Sequence, residues 1–258
     1  MSLDDFGLHH FSLEGKNAIV TGGNSGLGQA FTVALARAGA DVLVAGLTDD
    51  HGATARLVAA QGRRIEFVEA DLTLPGVPAE VVGSCVEQLG SVDILVNSAG
   101  ICLLADVAEF GREQWDPMLA VNLSAAFELA HEASGLMIAQ GSGKIINIAS
   151  LFSFLGGRSS PAYAATKAGI VGFTKAYCDE LGQHNIQVNA IAPGYFATAI
   201  TEGARSDVDS DRRIVEHIPA ARWGDVGDLM GATVFLASRA SDYVNGHVLT
   251  VDGGYLVR

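Results

Sequence analysis

The sequence predicts an α/β fold: a doubly wound parallel sheet of about seven strands with helices on both faces, in one domain spanning residues 1–258. Three observations carry this. Short runs of Ile, Val and Leu alternate with alanine-rich segments of helical length, the rhythm of β-α-β units. The runs are nearly continuously apolar, as strands covered on both faces require. With 49% hydrophobic and 17% charged residues, the 258-residue chain can also bury one large core.

Taken in order, "NAIVTG" (17–22), "DVLVAG" (41–46), "RIEFVEA" (64–70), "VDILVNS" (92–98), "GKIINIAS" (143–150) and "IQVNAIAP" (186–193) read as buried strands. A last run, "GHVLTVDGG" (246–254), makes the seventh. Between them, "GLGQAFTVALARAGA" keeps its apolar residues on one helical face, and "GATARLVAAQG" ends at a glycine of the C-cap type. The longer alanine-rich stretches 113–140 and 161–183 read as helices. Residues 198–222, with "SDVDSDRR" inside, interrupt the rhythm and read as an exposed excursion that forms a substrate lid.

The balance of charge excludes some partners. A net charge of −13 repels nucleic acid and anionic membrane alike. Cys85, Cys102 and Cys178 are widely spaced, with no CxxC pair, which suits a reducing cytoplasm rather than a disulfide framework. "MSLDDFGLHH" has no basic region followed by an apolar run, and no stretch approaches the roughly 18 apolar residues of a bilayer span, so a cytoplasmic location is expected. The seven histidines show no HxH or HExxH spacing. No metal is therefore expected, and His9 with His10 reads as a solvated N-terminal pair.

The first turn after a strand holds "TGGNSGLGQA". Gly22, Gly26 and Gly28 permit a tight turn, close approach of backbone to a pyrophosphate, and close packing of the next helix. The helix N-terminus offers free N–H groups and partial positive charge to phosphate. Further on, "SSPAYAATKAG" sets Tyr163 and Lys167 four residues apart, hence on one helical face. A phenol with an ordinary pKa of about 10 is a poor base at neutral pH. A lysine beside it favours the phenolate and makes it a usable proton-transfer group. Ser150, at the C-terminal end of a strand, stands where ligands bind in open α/β sheets.

"TGGNSGLG", "NSAG" (97–100), Asn122 in "AVNL", Ser150 thirteen residues before Tyr163, Lys167 and "PGYFAT" (193–198) together resemble the short-chain dehydrogenase/reductase family. That resemblance implies a Rossmann-type sheet, a homotetramer and a catalytic set of Asn122, Ser150, Tyr163 and Lys167. Tyr163 would be the general acid/base, Lys167 its modulator and a ligand of the nicotinamide ribose. Ser150 would hold the substrate oxygen, and Asn122 would anchor a proton-relay water.

The glycine turn would bind the dinucleotide through Gly22, Asn24, Ser25, Gly26, Leu27 and Gly28. The resemblance adds Leu47 after the second strand, and Asp71 with Leu72 at the adenine. Asn97, Ala99 and Gly100 would lie at the adenosine ribose, and Pro193, Gly194, Phe196 and Thr198 beside the nicotinamide.

The slot after the second strand holds Gly46, Leu47 and Thr48, with neither a carboxylate for a ribose 2′-OH nor a cation for a 2′-phosphate. No Arg or Lys lies between Arg37 and Arg56, so NAD rather than NADP is expected. "FSLEGK", "HNIQVNAIAPGY" and "IPAARWG" are similar to bacterial 2-deoxy-D-gluconate 3-dehydrogenases and 2-dehydro-3-deoxy-D-gluconate 5-dehydrogenases, implying a sugar-acid substrate. That group carries paired arginines shortly after the "NSAG" position, where this chain has "ICLLAD". A carboxylate would then need Arg158, Arg205 or Arg222, with Tyr195 and Phe196 lining the substrate site. Alternatives are a 3-oxoacyl-thioester reductase, a sugar or polyol dehydrogenase, and a non-catalytic dinucleotide-binding sensor. The helices at 113–140 and 161–183 have the length and apolar content to pack against copies of themselves.

Overall fold

Parallel strands buried on both faces need helical crossovers, and the chain supplies them. The structure, a computed structural model, describes residues 5–258. The first four residues of the N-terminal stretch that was read for a leader lie outside the described ones. The strands are β1 (Asn17–Thr21), β2 (Asp41–Gly46), β3 (Ile65–Glu69), β4 (Ile94–Asn97), β5 (Gly143–Ile148), β6 (Ile186–Pro193) and β7 (Val248–Val251). They form one parallel sheet in the order β3-β2-β1-β4-β5-β6-β7. The order reverses between β1 and β4, which opens a crevice at their C-terminal ends.

The helices are α1 (Gly26–Ala38), α2 (Ala53–Ala59), α3 (Val77–Leu89), α4 (Arg112–Leu119), α5 (Ala125–Gln140), α6 (Pro161–Leu181), α7 (Glu202–Ser206), α8 (Val208–His217) and α9 (Met230–Ala237). One face of the sheet packs Ile19, Leu43, Leu95 and Ile145 against Val81, Cys85, Leu129 and Met137 of α3 and α5. The other packs Val20, Val42, Val96 and Ile146 against Phe31 and Leu35 of α1 and Leu236 of α9. No helix among the described residues is long and apolar enough to cross a membrane.

Two expectations gain detail and one is corrected. The stretch 113–140 is helical throughout but not uniformly α: Pro117 removes an N–H from α4, and a wide π turn at Ala120–Ser124 joins it to α5. The excursion at 198–222 contains α7 and α8, and α8 is anchored by buried Ile214 and by the Trp223 indole N–H donating to Asp211 Oδ1 at 2.6 Å. His9 and His10 are not a solvated pair, because His10 is fully buried beneath Phe6 and His9.

Candidate active site

The crevice begins where β1 ends. Thr21 Oγ1 accepts hydrogen bonds from the N–H groups of Ser98 and Ala99, both at 2.9 Å, which binds the ends of β1 and β4 together. Gly22 then turns the chain with φ of 62°. A Cβ on Gly28 would sit 2.1 Å from the Gly22 carbonyl oxygen, so α1 approaches the turn more closely than any side chain permits. Ser25 caps α1 without a side-chain hydrogen bond, and no acidic residue occupies the first turn. The first N–H groups of α1 are thus left for an anion, and the site fits the pyrophosphate of a dinucleotide.

On the far side of the crevice, Ser150 follows β5. Its Oγ accepts from Phe152 N–H at 3.2 Å, leaving the hydroxyl proton free to be donated. Ser153, which the sequence did not single out, links both halves of the site. Its Oγ accepts from Ser150 N–H at 3.2 Å and donates to the Lys167 carbonyl at 2.7 Å. Tyr163 and Lys167 stand one turn apart on α6 and share one face, with the Lys167 Nζ 5.5 Å from the centre of the Tyr163 ring. Lys167 Nζ donates to the Ile148 carbonyl at 2.7 Å.

Burial acts on both groups. It pushes the Tyr163 phenol up to about 12, against a smaller opposing effect of the Ser150 hydroxyl. It brings the Lys167 ammonium down to about 8. Loss of solvent thus dominates the phenol in the protein alone, and the expected lowering by its lysine does not show. Cys102, assigned no role at the site from the sequence, lies near this pair with Sγ 3.7 Å from Ser160 Oγ, and burial raises its thiol so that it stays neutral.

A cavity of about 280 Å³ joins the two halves. Gly22, Ser25, Gly26, Leu27 and Gly28 border it, as do Ala99, Gly100, Ser150, Tyr163 and Lys167. Pro193, Gly194, Phe196 and Thr198 close another side, with Ala199, Ile200 and Thr201 at the start of the predicted lid.

Other predicted residues fall elsewhere. Asn24 donates to the Thr48 carbonyl at 2.5 Å, bracing the loop after β2, where Leu47 is exposed. Asp71 is exposed and caps its own turn through the hydroxyl and N–H of Thr73, which hold its carboxyl below the usual range. Leu72 is buried. The Asn97 side chain turns inward, donating to Ala126 O at 3.2 Å and Asn147 Oδ1 at 2.9 Å, which leaves only its backbone to face the crevice.

The Asn122 amide accepts from Ile101 N–H and donates to Ile101 O, both at 2.8 Å, which fastens the segment after β4 to the π turn. Tyr195 points into a separate recess, packed against Trp223 and Tyr255. Arg205 pairs with Glu202 at 3.1 Å, and Arg222 forks onto Asp228 at 2.7 and 3.1 Å. Arg158 is exposed and takes no ion-pair or hydrogen-bond partner among the described residues.

Known proteins resemble this chain over nearly its whole length. A family profile described as "Enoyl-(Acyl carrier protein) reductase" matches residues 22–256. The chain is 61% identical over 257 residues to the "Uncharacterized oxidoreductase YgcW" of Escherichia coli (strain K12), covering 100% of this chain and 98% of the relative. It is 47% identical over 253 residues to the 2-dehydro-3-deoxy-D-gluconate 5-dehydrogenase of the same organism, covering 97% and 99%. A gluconate 5-dehydrogenase from Burkholderia cenocepacia J2315, solved in complex with NADP and tartrate, superposes with a TM-score of 0.93 at 36% identity over 97% of this chain and 99% of that one. A glycine turn that fits a dinucleotide, a serine, tyrosine and lysine facing it, and likeness across nearly the whole chain lead to one conclusion: the protein is an oxidoreductase of the short-chain dehydrogenase/reductase family.

Proposed function

We propose that the protein interconverts a secondary alcohol and a ketone on a sugar acid, in the manner of a 2-deoxy-D-gluconate 3-dehydrogenase or a 2-dehydro-3-deoxy-D-gluconate 5-dehydrogenase. The observation that carries this is the shared cavity: Ser150, Tyr163 and Lys167 face the glycine turn of α1 across it. The names of the relatives support the sugar acid. A nicotinamide dinucleotide held at the head of α1 supplies or accepts the hydride.

The chain's own residues handle the oxygen and the proton. Ser150 donates its free O–H to the substrate oxygen. Tyr163 gives a proton to that oxygen during reduction and takes one from the hydroxyl during oxidation. Lys167 has spent one of its three donors on Ile148 O, leaving two for a ribose, and its charge stabilises the phenolate. Asn122 acts by holding Gly100 and Ile101 against Lys167.

The carboxylate falls to Arg158. Arg205 and Arg222 are committed to Glu202 and Asp228, whereas Arg158 has no partner among the described residues. Its loop is tied to the site: a Cβ on Gly157 would be 3.5 Å from the Phe152 ring, and that ring meets Tyr163 edge-on at 6.0 Å. The Ser159 carbonyl accepts from Ala105 N–H at 3.0 Å, so Arg158 borders the "ICLLAD" segment that lacks the family group's arginines. Residues 198–222 serve as the lid, closing over the substrate from Ile200, and four chains assemble through α5 and α6.

The test is a screen of sugar acids against their uncharged polyol analogues, followed by absorbance of the reduced nicotinamide. The acids are expected to be the better substrates, and Arg158→Ala to raise their KM by about tenfold, the value of a charge-assisted contact. Equal activity on acid and polyol in the unaltered protein would remove the sugar-acid reading.

A further inference from the structure

Three donors near the N-terminus lie outside the catalytic cavity. Asp5, His9 and His10 each present one ligand atom, and these atoms all lie within 4.8 Å of one another. His9 Nε2 is 4.0 Å from Asp5 Oδ1, and His10 Nε2 is 3.7 Å from Asp5 Oδ2. His10 is fully buried, and its Nε2 has no hydrogen-bond partner among the described residues. A buried imidazole nitrogen left in that state is unfavourable unless something at that point satisfies it. On the other side of the ring, Nδ1 lies 3.2 Å from both the N–H and the carbonyl of Gly7, the tautomer deciding which bond is made, and Phe6 stacks on the ring at 5.5 Å.

We propose that Asp5, His9 and His10 form a binding site for a divalent transition metal, Zn²⁺ being the best match, which clips the N-terminal segment to the body of the protein. Two imidazole nitrogens and one carboxylate suit zinc and its first-row neighbours rather than Mg²⁺ or Ca²⁺, which take oxygen ligands. When Nδ1–H donates to Gly7 O, the Nε2 lone pair points outward to the metal. A backbone carbonyl on the second nitrogen is the supporting contact that ligating histidines commonly make. Metal bonds of about 2.0–2.2 Å in tetrahedral geometry set ligand atoms roughly 3.3 Å apart. Asp5 and His9 are exposed, so rotation of their side chains closes the remaining gap, and water completes the coordination from the solvent side.

The position gives the metal a structural use. Leu8 and Phe11 lie over a groove between α1 and α9, beside Ala34 and Met230, and Leu13 N–H donates to Ala38 O at 2.7 Å. A metal that ties Asp5 to the buried His10 pins the segment leading into that contact. It leaves the catalytic cavity untouched.

The experiment is calorimetric titration of metal-stripped, full-length protein with ZnCl₂, paired with chymotrypsin cleavage at Phe6 and Leu8. Saturable binding of one Zn²⁺ per chain is expected, with cleavage slowed by zinc and restored by EDTA. Asp5→Asn and His9→Ala alter exposed side chains and keep the fold, and each should weaken binding about tenfold or more. His10→Ala, checked by circular dichroism, should abolish it. Hydride transfer should be unchanged in Asp5→Asn and His9→Ala. No saturable binding would overturn the proposal, and so would titrations unaltered by both Asp5→Asn and His9→Ala.

Discussion

Tyr163 and Lys167 are both driven by burial toward their neutral forms, and the two shifts have different consequences. With its phenol up at about 12, Tyr163 keeps its proton throughout the neutral range and is ready to donate. Lys167, brought down to about 8, carries its charge below that pH and loses it above. Donation from Tyr163 leaves a phenolate, which the lysine charge stabilises. Ketone reduction should therefore hold steady below about pH 8 and fall as the pH rises through it, in initial rates taken with saturating cofactor. A flat profile across that range would separate Lys167 from the proton step. Much of this pair was legible, because helical periodicity alone places residues i and i+4 together. Ser153 and Cys102 were not legible, since each acquires its partner through a contact across a loop. The arginines divide: Arg205 meets Glu202 three residues before it on α7, a spacing the sequence shows, whereas the fork of Arg222 onto Asp228 appears only in the fold.

Among the elements, the loop after β2 decides which dinucleotide is accepted. Its sequence led to an expectation of NAD, on the grounds that no cation faces the slot and that Asp49 and Asp50 would repel a 2′-phosphate. Asp50 turns away, accepting from the N–H and hydroxyl of Thr54 at the head of α2, and those bonds hold its carboxyl below its usual range. Asp49 and Asp50 both border the recess beside Asn24, so the ground for expecting a 2′-phosphate is that structural neighbours were solved with NADP. A 2′-phosphate should be accommodated, with kcat/KM for NADPH no worse than about a tenth of that for NADH, a difference of about 1.4 kcal/mol. A stronger preference for NADH would restore the original expectation. The strands were legible to within three residues at either end because their apolar runs are bounded by glycines and polar turns. The π turn inside 113–140 was not read, although Pro117 lies just before it, because the stretch has the length of one helix and no glycine interrupts it before Gly135. The turn itself is stabilised by Asn122 reaching Ile101, a contact far along the chain.

For the molecule as a whole, the face of α5 and α6 bears on assembly. Phe127 is 47% exposed, yet its ring lies 6.2 Å from Phe173 and 6.3 Å from Tyr177 in edge-on geometry, an aromatic cluster open to solvent. Burial of such a cluster between copies would favour association, so light scattering should report a tetramer, and Phe127→Asp should shift it to a smaller species. A monomer in the unaltered protein would contradict this. The doubly wound sheet was legible from alternation alone, whereas the burial of His10 was not, because it depends on Phe6 and Gly7 folding back over a ring that composition marks as polar. The account rests above all on the phenol of Tyr163 as the group that exchanges a proton with the substrate oxygen. The direct measurement compares the unaltered protein with Tyr163→Phe for turnover and for dinucleotide binding. Turnover should fall by roughly 10²–10⁴-fold while dinucleotide affinity stays the same. A Tyr163→Phe protein that kept more than about a tenth of the activity would contradict a proton-transfer role of that size.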